Sequence, residues 1–115
     1  MRLLCEVIAF DILPAARALI AKRLTDTYGF SQKEAAEAMG LTQPAVSQYK
    51  SNARGHKIEA FTGSPEAMMA MDELAKRISH GIPIEEMGDE LYRLCERVAL
   101  SVSGGKAQKA GPQTR

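Results

Sequence analysis

Between Ser31 and Tyr49 the chain fixes two short helices and the turn that joins them, almost residue by residue. Ser31 with Glu34 three positions on is a capping box, which starts a helix at a defined point. That helix is expected to run to about Met39. Gly40 can then take the positive φ that ends a helix in a tight turn, and Leu41 follows as a buried plug. Thr42 is a good N-cap for a second helix, and Pro44 falls in its first turn, where a missing N–H is harmless. Ala35, Ala36, Met39, Leu41, Val46 and Tyr49 are the small or apolar positions that pack inward. A side chain as small as Ala36 lets the second helix cross the first closely. Gln43, Ser47, Gln48 and Lys50 are left facing outward on the second helix.

Short or amide side chains with one cation are the composition of a DNA-reading surface. Gln pairs bidentately with adenine, and Ser reaches a base edge or a phosphate. The arrangement is a helix-turn-helix with Gln43 to Lys50 as recognition helix. On these residues the chain resembles the λ-repressor/Cro-like family of transcription regulators. In that family a Gln opens the first motif helix and another opens the recognition helix, which here are Gln32 and Gln43. Upstream, Cys5, Glu6 and Val7 with the run Ile12 to Arg17 resemble a group of archaeal predicted regulators. Some members of that group carry the same head fused to a thiamine-phosphate-synthase-like sensor domain. The resemblance covers roughly residues 5 to 58. A chain of 115 residues has no room for the sensor, so ligand sensing is not part of the expectation.

The formal net charge of +1 looks too neutral for a DNA binder, so its distribution matters. Residues 1–61 carry +2, residues 62–102 carry −4 and residues 103–115 carry +3. The acid sits away from the motif, and the stretch from Lys50 to Lys57 holds no acidic residue. Lys50, Asn52, Arg54 and Lys57 therefore join Gln32 and Thr42 as phosphate-contact candidates, while Gln43, Ser47 and Gln48 are the base-reading candidates. Pro44 belongs to the same surface as the first-turn residue of the recognition helix. The first turns of both motif helices offer N–H groups and a positive dipole end to a phosphate.

Helical spacing extends beyond the motif and argues for an all-α chain. An opening segment, Leu3 to Ile12, is too densely apolar to fix one face. Pro14 is expected to start the next helix, with Leu13, Ala16, Leu19, Ile20 and Leu24 recurring at three and four. Thr27, Tyr28 and Gly29 end it. Ser51 to Gly63 reads as a loop with one turn at Ile58 to Phe61. Ser64 caps a further helix carrying Ala67, Met71, Leu74 and Ile78, and Gly81 with Pro83 breaks it. Ile84, Met87, Leu91, Leu94 and Val98 then form a heptad stripe. The expected organisation is a λ-repressor-like DNA-binding head over 1–63, a helical dimerisation hairpin over 64–102 and a disordered tail over 103–115.

No apolar run of about 18 residues exists to span a membrane, and no small-residue cleavage site follows the N-terminal stretch. A cytoplasmic protein is expected. Two cysteines are too few for a four-ligand metal site in one chain, so Cys5 and Cys95 are expected as small buried hydrophobes. His56 and His80 lack acidic partners at ligand spacing. No Gly-rich phosphate loop, Ser/His/Asp set or apolar carboxylate pair is present, so neither an enzyme nor a bound cofactor is expected. The leading expectation is a homodimer that binds duplex DNA sequence-specifically and regulates transcription. Two other classes remain open: an antitoxin or adaptor that binds another protein through the C-terminal helices, with Met68, Met69, Met71 and Met87 as an adaptable surface, and a redox- or metal-sensing DNA-binding protein.

Overall fold

Helices make up the whole of the regular structure. The computed structural model describes residues 3–51 and 58–110, and among these no strand occurs. The chain opens with α1 (Leu4–Val7), a π turn (Ile8–Ile12), α2 (Leu13–Lys22) and a second π turn (Arg23–Thr27). The series continues with α3 (Gln32–Met39), α4 (Gln43–Ser51), α5 (Ile58–Thr62) and α6 (Pro65–Ser79). A 3₁₀ turn (Ile84–Met87) then leads into α7 (Gly88–Ala110). Among the described residues no helix is long and apolar enough to cross a membrane.

The spacing predicts a fresh helix start at Pro14, but the structure runs unbroken from residue 4 to residue 27. Proline lacks an N–H, and its ring crowds the carbonyl four residues back. The first π turn supplies the slack: the Leu13 N–H reaches five residues back to the Ile8 carbonyl, which widens the helix just ahead of Pro14. At the other end the Tyr28 N–H reaches the Arg23 carbonyl at 3.2 Å. Gly29, at φ 74°, then turns the chain so that the Phe30 N–H meets the Leu24 carbonyl at 2.9 Å.

One apolar cluster holds the helices together, including Ile12, Ile20, Leu24, Val46, Phe61, Met71, Leu74 and Cys95. α7 lies against the first π turn, α5 and α6. Met87, Leu94 and Val98 of the heptad stripe are buried, with Ile84 and Leu91 half-buried. The buried part of that stripe lies against the first π turn, α5 and α6, so the described residues before and after Ser64 contribute to one core cluster. Ser64 caps α6 as its position predicts, accepting the Ala67 N–H at 3.2 Å. α7 does not stop near residue 102. Its backbone continues through 103–110, where composition predicts disorder, because each residue added to an existing helix gains a hydrogen bond without a new nucleus. Residues 111–115 lie outside the described residues.

Candidate nucleic-acid interface

The α3–α4 pair takes the local form that its residues dictate. Ser31 Oγ accepts the Glu34 N–H at 3.0 Å, and Glu34 Oε1 accepts the Ser31 N–H at 2.8 Å. Gly40 sits at φ 68°, ψ 31°, a left-handed conformation. There the Leu41 N–H reaches the Ala36 carbonyl at 2.8 Å and closes α3. Thr42 Oγ1 accepts the Ala45 N–H at 3.2 Å, and its carbonyl accepts the Val46 N–H at 3.1 Å. Ala35, Ala36 and Met39 are buried on α3, and α4 buries Val46.

The candidate residues fall into three groups. Thr42, Gln43, Pro44 and Gln48 are exposed, with Gln32 and Ser47 half-exposed beside them. No described residue bonds to the side-chain amide of Gln43 or Gln48, so both are available to a ligand. Lys50 belongs to a second group. It is half-buried, and its Nζ donates to Thr25 Oγ1 at 2.9 Å, in the second π turn. Asn52, Arg54 and Lys57 form the third and lie outside the described residues. The expected phosphate site at the start of α4 also narrows. Pro44 has no N–H and Thr42 takes that of Ala45, which leaves the Gln43 N–H among the first three.

Tyr49, expected in the core, is half-buried and finds a polar partner. Arg17 Nη1 donates to its hydroxyl at 3.1 Å, and the guanidinium carbon lies 5.9 Å from the ring centroid. Sequence reasoning assigned Arg17 no such role. Its signal was a cation among the apolar positions of its helix, four after Leu13 and three before Ile20, where a charge needs a partner.

The two cysteines are not alike. Cys95 is buried, and burial pushes its thiol up to about 11, against an opposing pull from the Arg17 charge. Cys5 is exposed, against expectation, because α1 turns Leu4 and Val7 toward the core cluster instead. Among the described residues no group of three or more His, Cys, Asp and Glu side chains is placed to hold a metal. Met71 and Met87 are core residues, so the adaptable surface expected of four methionines reduces to exposed Met69 and half-buried Met68. His80 is exposed at the end of α6, with Nδ1 2.8 Å from the Lys76 carbonyl.

Comparison with known proteins finds no matching family model, no matching curated protein and no matching solved structure.

Proposed function

We propose that this chain is a DNA-binding regulator that lays α4 in the major groove of duplex DNA. The observation that carries the reading is the outer side of α4. A helix held to the body through Val46 presents Gln43, Ser47 and Gln48 together, with both amides unbonded. An amide offers a donor and an acceptor side by side, the pattern that adenine presents in the major groove. Pro44 and Thr42 keep the entry to this helix compact, and Gln32 stands at the start of the neighbouring α3. Phosphate contacts fall to Gln32, Thr42 and the basic residues at and beyond the end of α4. Occupancy of an operator is then the means of regulation.

Association as a homodimer completes the proposal, but not through the heptad stripe, which is internal. Tyr92 and Leu100 are the large apolar side chains that α7 leaves about half exposed, at 52% and 50%. A pairing of two copies through that side of α7 would give the two-fold symmetry that palindromic half-sites require. The test is selection of bound fragments from random duplex DNA, followed by sedimentation of the intact protein alone and with the selected site. The reading expects an enriched site with two related halves, bound by two chains. An unenriched pool would refute sequence-specific binding, and one chain per asymmetric site would refute the dimer.

A further inference from the structure

α4 is a recognition helix with a thin apolar anchor. Val46 is its one fully buried residue; α4 packs on α2 and α3, but apolar burial is non-directional and one buried side chain fixes the roll of a helix about its own axis only weakly. Such a roll would carry Gln43 and Gln48 to different heights on the base-pair edges. Two polar contacts on either side of Val46 oppose it. Around a helix of 3.6 residues per turn, Tyr49 stands about 60° to one side of Val46 and Lys50 about 40° to the other. Tyr49 accepts the hydrogen bond from Arg17 and carries the guanidinium beside its ring, while Lys50 donates to Thr25. Both partners belong to the one helical run over 4–27, which is itself fixed in the core through Ile12, Ile20 and Leu24.

We infer that Arg17 and Thr25 are specificity-determining positioning residues: from behind the helix they set the roll of α4, and so the base preference of a surface they do not touch. This rests on the DNA-binding reading above. It also moves Lys50 from the phosphate contacts to the positioning set in the free protein. Thr25 is suited to the task because its hydroxyl is itself directed, donating to the Ala21 carbonyl at 3.0 Å. A lone pair is thereby left for the lysine. Arg17 is suited because its planar fork can bond the phenol while its charge remains beside the ring, which a lysine reproduces poorly.

The variants Tyr49→Phe and Thr25→Val, singly and combined, remove the two accepting oxygens with little change of volume. Two measurements are made on the full chain: amide hydrogen exchange across residues 45–50 without DNA, and affinity for the selected site against random duplex. The combined variant is expected to exchange faster across that turn while melting near the wild type. Its ratio of specific to random affinity should fall about tenfold, the worth of one misplaced base contact. Random-DNA affinity and the salt slope should hold, and the single variant Thr25→Ser, which keeps both accepting oxygens, should match the wild type in both readouts. Unchanged exchange would overturn the latches whatever the DNA result. Faster exchange with an intact affinity ratio would overturn the role in specificity. A flatter salt slope for Lys50→Met but not for Thr25→Val would return Lys50 to the phosphates and overturn its half. If the wild type discriminates no sequence although exchange responds, it is the DNA-binding reading that fails, and the specificity role with it.

Discussion

α4 and α7 are both amphipathic helices on one core, but they are held in opposite ways. α7 buries Leu94, Cys95, Val98 and Ala99, so it is fixed by apolar area that depends on neither charge nor ligand. α4, packed on α2 and α3, fully buries Val46 alone and carries two polar contacts to the first helical run. Apolar burial is non-directional, whereas a hydrogen bond specifies an orientation. α7 thus brings more fully buried side chains to the core than α4, which on the proposed reading carries the recognition chemistry. Substitutions in the two helices should separate those properties.

The largest effect is expected from Leu94→Ala, which removes a side chain that is 2% exposed at the contact of α7 with the core. A buried Leu→Ala change costs about 2–5 kcal/mol through lost transfer and a residual cavity. Denaturant unfolding should show that loss. The Cys95 thiol should react with an alkylating reagent much faster in the variant, since burial and a thiol pushed up to about 11 protect it in the native chain. Below the midpoint of unfolding, DNA affinity should be nearly that of the wild type. A variant that melts normally but loses DNA would reverse the division between α7 and α4.

The same division is probed from the other side by Gln48→Ala. The exposed amide has no partner within the described chain, so stability should move by less than about 0.5 kcal/mol. On the selected site the loss should be roughly 1–3 kcal/mol with relaxed preference at one base pair per half-site. Fluorescence anisotropy on matched and mismatched duplexes makes the comparison. Equal losses on specific and random DNA would remove Gln48 from the reading surface.

Whatever was set by local chemistry was legible in the sequence. The capping box at Ser31 and Glu34, the left-handed Gly40, the Thr42 and Ser64 caps and the burial of Ala35, Ala36 and Val46 all follow from residues within one or two turns. The misread features depend on distant parts of the chain. The heptad stripe running into α7 gave its period but not its partners, which are α5, α6 and, some eighty residues earlier, the π turn Ile8–Ile12. Pro14 is the local exception: its effect on the helix was decided by the π turn immediately before it, which has no sequence signature. Lys50 read as an outward-facing phosphate contact because nothing local marks Thr25, twenty-five residues away, as its acceptor.

On the proposed reading Gly40 marks a place where stability and recognition meet, because its turn sets how α4 leaves α3. Gly40→Ala would face no clash, as the nearest atom to an added Cβ is Glu85 Oε2 at 3.7 Å. The cost is conformational, since a φ of 68° disfavours an L side chain by about 1–2 kcal/mol. Thermal unfolding should register a loss of that size. The specific affinity should fall by no more than stability predicts if Ala holds the turn. A much larger loss of affinity would show that the turn has moved α4.

The smallest effect belongs to the ion pair between α6 and α7. Arg77 forks onto Glu90, with Nη1 at 2.9 Å from Oε1, and also lies 3.6 Å from Glu73. The hydrogen bond from Arg77 holds the Glu90 carboxyl below its ordinary value of 4.5, with the guanidinium charge acting in the same direction. A carboxyl whose folded value is depressed stabilises the native state above its unfolded value, and that contribution is lost as pH falls through the folded one. Wild type should therefore exceed Glu90→Gln by a constant small margin at neutral pH, and the margin should shrink as pH drops below about 4.5. Glu90 is more than half exposed, so added salt should shrink the margin too. Paired urea titrations along a pH series measure it directly. A margin that survives in acid would mean that the Gln variant loses packing rather than charge, and DNA affinity should stay level throughout because α7 carries none of the reading surface.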